Sequence, residues 1–307
     1  MLFLGIDGGS TKLDFSIIDE YSHQIFSCQI TKASNLKYVG AGILISNLNE
    51  GLNLMRDAGI SPKQINQVYA GIAECTPKNP HPELSQVCEW FSRMFGTRFI
   101  LEDDQYSVFR SLSTGATGVL ANAGTGSNLN YFSKIREQTI KSIGFGGRDF
   151  GKALLALCYN GVFTSGHPVY EALRSHVSQD PIEYFDSLQG RDFVINSSIT
   201  TLPKVVQKAY DANELSVRAE LHPLLVTMGT RWGSKISAYC LSNFGFFPDD
   251  TFEIVLRGGL WSWAVMRTVA TQDVLKTFPH AHILYDQNIP AVKGCTYLAK
   301  QYFDAQN

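Results

Sequence analysis

Two stretches of this chain share one pattern, an apolar strand, a turn of small residues and a second strand: "FLGIDGGSTKLDFSIID" at 3–19 and "TGVLANAGTGSNLNYFS" at 117–133. The copies lie about 115 residues apart, far too long a period for a solenoid and the right size for two related domains. A hairpin tip needs only one or two residues able to take φ > 0. The first turn carries more than that, with Asp7, Ser10, Thr11 and Lys12 around Gly8 and Gly9. The second has Gly124, Thr125, Gly126 and Ser127 at its tip.

The 307 residues are more than one core of usual size accommodates, which agrees with two domains. A hydrophobic fraction of 44%, a charged fraction of 18% and a mean hydropathy of -0.05 describe an ordinary soluble globular chain. The formal charge of -2 gives no electrostatic reason to expect nucleic acid. No apolar run reaches membrane-spanning length, and the start "MLFLGIDGGS" lacks the pattern of a signal peptide, so a cytoplasmic protein without a membrane partner is expected. The six cysteines are scattered singly and read as buried small apolar groups. His280 and His282 would share one side of a strand, a weak metal signal.

The apolar pattern predicts a three-stranded antiparallel meander from "FLGIDGG", "KLDFSIID" and "HQIFSCQIT". A helix through "YVGAGILISNLNEGLNLMRDAG", a buried strand "QVYAGIAE", a helix "SQVCEWFSRMFG", a strand "TRFILEDD" and a helix "YSVFRSLST" follow. After the second hairpin comes a mostly helical stretch from about 152 to 244. Strands "FEIVLRGG" and "HAHILYD" and a closing helix in "PAVKGCTYLAKQYF" complete the chain. The expected division is 1–113 and 114–307, with the helical stretch inserted in the second domain and the closing helix packing back on the first.

Successive backbone N–H groups in a small-residue turn make an anion-binding concavity, and glycines let a phosphate approach without meeting a Cβ. Both turns fit that role. Asp7, directly before the glycines, is placed to hold a hydrated Mg²⁺ beside bound phosphates. "LEDDQ" puts Glu102, Asp103 and Asp104 where a strand leaves the sheet, and phosphoryl transfer to an alcohol needs a carboxylate within reach of the hydroxyl it deprotonates. The glycine-rich loop "GFGGRDFGK" at 144–152 offers Phe145 and Asp149 as pocket groups, with Asp149 accepting from substrate hydroxyls.

In this order the pieces resemble the sugar kinase, heat-shock-protein-ATPase and actin superfamily, and within it the N-acetylglucosamine kinase and BadF/BadG-type ATPase group. "GIDGGSTK" looks like the first phosphate motif, "NAGTGS" the second and "LRGGL" at Leu256 to Leu260 the adenosine motif, while "AGIAE" and "PAVKGCTYLA" also match in kind. The resemblance spans nearly the whole chain. It implies an α/β protein of two ribonuclease-H-like, actin-like ATPase domains with ATP in the cleft between them. Gly8 to Lys12 and Gly124 to Ser127 would surround the phosphates, Gly258 and Gly259 would lie against the adenosine, and Asp7 would hold Mg²⁺.

The family's catalytic aspartate stands about twenty residues before the second phosphate motif, the position of Asp104 here; its neighbour Asp103 leaves the choice of base between the two acids. "ASNLK" matches the family's Ser-Asn, making Asn35 a candidate for hydroxyl recognition. "RDFGK" keeps Asp149 and Gly151 of the family's Gly-Asp-Glu-Gly-Ser but carries Arg148, Phe150 and Lys152 at the other places. The resemblance implies a kinase for an amino sugar such as N-acetylglucosamine or glucosamine, acting on the 6-hydroxyl, with homodimers common among such enzymes. Two alternatives stay open. One is the ATPase activator of a 2-hydroxyacyl-CoA dehydratase, which needs cluster-binding cysteines soon after the second phosphate motif, where the next cysteine is Cys158. The other is a non-catalytic sensor of the same fold.

Overall fold

The computed structural model describes all residues except 10, 77–80, 116, 125, 134–136, 142, 144, 189–196, 213–214, 287 and 307. In chain order the first part comprises β1 (Leu2–Gly8), β2 (Leu13–Asp19), β3 (Gln24–Ile30), α1 (Leu36–Asp57), β4 (Gln67–Ile72), α2 (Leu84–Phe95), β5 (Phe99–Glu102) and α3 (Asp104–Arg110). Next come β6 (Gly118–Ala123), β7 (Ser127–Phe132), β8 (Glu137–Lys141), α4 (Gly147–Tyr159), α5 (Pro168–Val177), α6 (Pro181–Ser187), α7 (Ser197–Asp211) and α8 (Leu215–Tyr239). Last are β9 (Glu253–Arg257), α9 (Ala264–Thr277), β10 (His282–Leu284) and α10 (Val292–Asp304).

The chain divides into two compact units. Unit 1 comprises Met1–Thr114 and Asn288–Asn307, and unit 2 comprises Gly115–Gln287. The last twenty or so residues, which chain order groups with the second half, thus belong to the first.

In unit 1 the strand order is β3-β2-β1-β4-β5: an antiparallel meander extended by two strands parallel to β1. β4 is buried at every position, as a strand covered on both faces by helices must be, and its apolar run "QVYAGI" shows no alternation. β3, at the edge, shows a largely exposed pattern. Helix α2 buries Leu84, Val87, Trp90, Phe91 and Phe95, a stripe at helical spacing that meets Leu4, Ile6, Phe15 and Leu48 in one core. On a second, smaller core, Phe3 and Tyr69 meet Cys295, Leu298 and Ala299 of α10. Gly5 permits that docking: a Cβ there would lie 2.5 Å from the Thr296 backbone nitrogen.

Unit 2 repeats the plan. Its order is β10-β9-β6-β7-β8, again a meander with two parallel strands added beside its first strand. The helices between β8 and β9 share a core with the sheet through Phe150, Leu154, Leu202, Leu221 and Trp232. The periodicity did not reveal β8, whose polar sequence "EQTIK" lacks an alternating apolar face, or α9 as a separate helix. His280 lies before β10 and His282 is exposed at its start, so the two histidines are not paired on a strand. Among the described residues no helix is long and apolar enough to cross a membrane.

Candidate active site

At the C-terminal end of the unit 1 sheet, β1 delivers Asp7 and Gly8 into the first turn. Gly9 N donates to Lys12 O at 3.1 Å to close it. Ser34 fastens the turn from outside: its N–H donates to Gly9 O at 2.8 Å, and its hydroxyl reaches Gly9 O at 3.1 Å and Lys12 O at 2.9 Å. Sequence reasoning singled out Asn35 and passed over this serine beside it. Asn35 is buried and caps α1, its Oδ1 accepting from Lys37 N at 3.0 Å. Lys12 Nζ pairs with Asp14, which also accepts from Gln29. Thr11 is exposed. Ser10 of this turn and Thr125 of the second lie outside the described residues.

The acids of "LEDDQ" have separate surroundings. Glu102 accepts the Tyr69 hydroxyl at 2.7 Å. Asp103 caps α3, taking Gln105 N at 3.2 Å on one oxygen and Glu74 N at 3.1 Å on the other. Glu74 adopts a left-handed φ of 65°, which turns the chain after β4 so that its N–H meets Asp103. Asp104 accepts from the Gln105 side chain at 2.6 Å, but burial, the negative charges of Asp103 and Asp7, and a hydrogen bond to Asp103 that favours its protonated form hold its carboxyl well above the usual range. Gly71 of β4 lets α3 sit this close: a Cβ there would be 2.4 Å from the Ser107 hydroxyl. Asp7, Asp103 and Asp104 are therefore electrostatically one group inside unit 1. Among the described residues no group of three or more His, Cys, Asp or Glu side chains is arranged to ligate a metal ion together, so any Mg²⁺ here would take only one or two of these carboxylates directly and the rest of its shell from water.

Unit 2 carries the second turn on a hairpin in which Ala123 is opposite Ser127. The stretch read from the sequence as a loop at 144–152 is α4 from Gly147 onward, and Phe145 and the start of that helix lie against the second turn. Gly147 N donates to Gly124 O at 2.7 Å, and Phe145 N donates to the Ser127 hydroxyl at 3.3 Å. Phe145 is fixed further by Trp232, whose indole N–H donates to its carbonyl at 3.0 Å, and by Arg231 stacked 5.3 Å from its ring centroid. Asp149 accepts from Gly146 N at 2.9 Å, a capping contact at the start of α4. Gly258 and Gly259 follow β9. Gly258 has φ 103°, and a Cβ on it would lie 2.5 Å from the Ala123 carbonyl, so Gly258 is pressed against the base of the second turn, whereas a Cβ on Gly259 would meet nothing within 4 Å. Cys158 is buried in the α4 core, where burial first and then Asp180 push its thiol up to about 12.

Two sheets of order 3-2-1-4-5 define an α/β protein, and its fold is shared with solved structures of sugar kinases. Comparison with family models finds no match, and comparison with curated proteins finds no similar sequence. Solved structures do match over the whole length. A proposed N-acetylglucosamine kinase from Porphyromonas gingivalis is 17% identical, covers 100% of both chains and has a TM-score of 0.64. One from Chromobacterium violaceum is also 17% identical, covers 97% of this chain and 98% of its own, and has a TM-score of 0.62. A ROK family glucokinase from Streptomyces griseus, solved with glucose and AMPPNP, is 12% identical, covers 98% and 100%, and has a TM-score of 0.61.

Proposed function

We propose that this chain is an ATP-dependent kinase of an amino sugar, N-acetylglucosamine or glucosamine in type, acting on the 6-hydroxyl. The carrying observation is the division of labour among three consecutive acids. Glu102 is engaged by Tyr69 and Asp103 by two backbone N–H groups, so Asp104 is the acid suited to take the hydroxyl proton. Its raised pKa suits a base, because a carboxylate of higher pKa accepts a proton more readily. Asp103, whose two oxygens accept from Gln105 N and Glu74 N, lies against Asp104, and, added to burial, its charge and hydrogen bond raise the pKa of the Asp104 carboxyl.

Mg²⁺, when bound with ATP, neutralises phosphate oxygens, and Asp7 would hold it, largely through water. Gly8, Gly9, Ser10, Thr11 and Lys12 of unit 1 and Gly124, Thr125, Gly126 and Ser127 of unit 2 would direct N–H and hydroxyl donors at the phosphates, stabilising charge as the phosphoryl group transfers. In unit 1 Asn35, and in unit 2 Asp149 with Phe145, would recognise sugar hydroxyls with the atoms their capping bonds leave over. The whole-length likeness to sugar kinases, one of them holding glucose and AMPPNP, supports the reading.

The test is a coupled ADP-release screen over glucosamine, N-acetylglucosamine, N-acetylmannosamine, N-acetylmuramic acid and glucose. Turnover is expected with an amino sugar and not with glucose. ADP release on none of the five sugars overturns the kinase assignment.

A further inference from the structure

The smaller core of unit 1 sets α10 against β1 and β4, and one fully buried thiol there touches the backbone on both sides of the acid group. Cys295 Sγ donates to Ile6 O at 3.1 Å, the carbonyl of the peptide bond that carries Asp7. The same sulfur lies against the Ser107 hydroxyl and the Gly71 N–H. Ser107, also fully buried, donates its own proton to the Asp104 carbonyl at 2.8 Å. Cys295 and Ser107 thus link the strand end that presents Asp7 to the first turn of the helix that presents Asp104. Backbone contacts hold the link in place. A Cβ on Gly294 would lie 1.9 Å from Ser107 O, and one on Gly5 would lie 2.9 Å from the Cys295 Cβ, so α10 sits flush against both α3 and β1.

A buried cysteine that only fills space needs no directional partner. This one has a carbonyl to donate to and a hydroxyl against it, and those two groups belong to the segments that carry Asp7 and Asp104. The two acids repel each other, so their spacing has to be kept by the backbone beneath them. We infer that Cys295 and Ser107 are positioning residues that fix the base Asp104 relative to Asp7. The inference rests on the kinase reading for the reaction and adds to it a support for the base supplied by α10.

Steady-state kinetics in the wild-type and Asp104→Asn backgrounds tests it. Cys295→Ala should lower kcat about tenfold, inside the range that a displacement near 1 Å produces, and leave the KM for sugar and for ATP within about twofold. Cys295→Ser keeps a donor for Ile6 O and should restore kcat to within about threefold of wild type. Ser107→Ala should repeat the loss. In the Asp104→Asn background Cys295→Ala should cost nothing further, because a residue that acts through Asp104 has no base left to position. Without Mg²⁺, amide hydrogen exchange over 104–110 should quicken in Cys295→Ala and not in Cys295→Ser. The inference is overturned if Cys295→Ala keeps wild-type kcat, if Cys295→Ser is as slow as Cys295→Ala, or if the loss adds to that of Asp104→Asn, the mark of a general packing defect. Those outcomes leave wild-type turnover, and so the kinase reading, intact; a wild type that turns over no amino sugar overturns that reading and this inference with it.

Discussion

Units 1 and 2 are built on the same five-stranded plan, yet corresponding strand ends carry opposite chemistry. Where β5 leaves the first sheet it presents Asp103 and Asp104; where β10 leaves the second it leads to Tyr285. Where β4 ends, the chain turns through the left-handed Glu74; where β9 ends, it turns through Gly258 and Gly259. The plan determines where side chains are presented, because parallel strands expose groups at their carboxyl ends. The residues at those ends determine what each copy does. One unit gathers carboxylates and the other gathers backbone and hydroxyl groups, and on that difference the proposed kinase reading assigns proton transfer to unit 1.

Removing the acid from the first unit should have the largest effect. Asp104→Asn keeps the shape of the side chain and removes the base, so kcat is expected to drop by about 10²–10⁴-fold with little change in sugar KM, measured by steady-state ADP release. Wild-type turnover in that variant removes Asp104 from the mechanism.

Adding one methyl group to each unit sharpens the comparison. Gly71→Ala would press on Ser107 and shift α3, lowering kcat while sparing nucleotide affinity; Gly258→Ala would press on Ala123 and raise the KM for ATP. Each also costs about 1–3 kcal/mol of stability from overpacking, readable as a lower denaturant midpoint. Equal effects of the two variants on kcat and on KM for ATP would erase the division proposed between the units.

The smallest effect is one of stability. A carboxyl whose folded pKa lies above its unfolded value favours folding below the unfolded pKa, and that contribution is lost as pH rises through the folded pKa. Without divalent cations, Asp104→Asn should therefore unfold at a higher temperature than wild type at pH 8, and the gap should close towards pH 4. The same raised pKa predicts that wild-type kcat/KM falls on the acid side at a pH above the ordinary carboxylate range. A thermal gap independent of pH would mean that Asp104 is not held near like charges.

Much of the fold was legible from local pattern. "FLGIDGG" and "TGVLANAG" read as strands entering small-residue turns because alternation and glycine content are local properties. β8 was not legible, since "EQTIK" has no apolar periodicity and is a strand through pairing with β7. The acid group was readable as "LEDDQ", but its internal assignment was not. Which of three adjacent carboxylates is spoken for depends on Tyr69, 33 residues back, and on the Glu74 N–H, 29 residues before Asp103.

The same limit explains Ser34, Gly71 and Cys295. None belongs to a local motif that announces its role, and each acquires one through a contact with a distant segment: Ser34 with the first turn, Gly71 with α3, Cys295 with the end of β1. The sequence alone determined two copies of a phosphate-suited turn with an acid-bearing strand exit between them, because turn chemistry and strand pattern are written in consecutive residues. Only the tertiary structure decided which acid has the raised pKa, which serine ties the turn and which thiol lies beneath the acids, because burial, charge proximity and hydrogen bonding are properties of residues brought together from far apart in the chain.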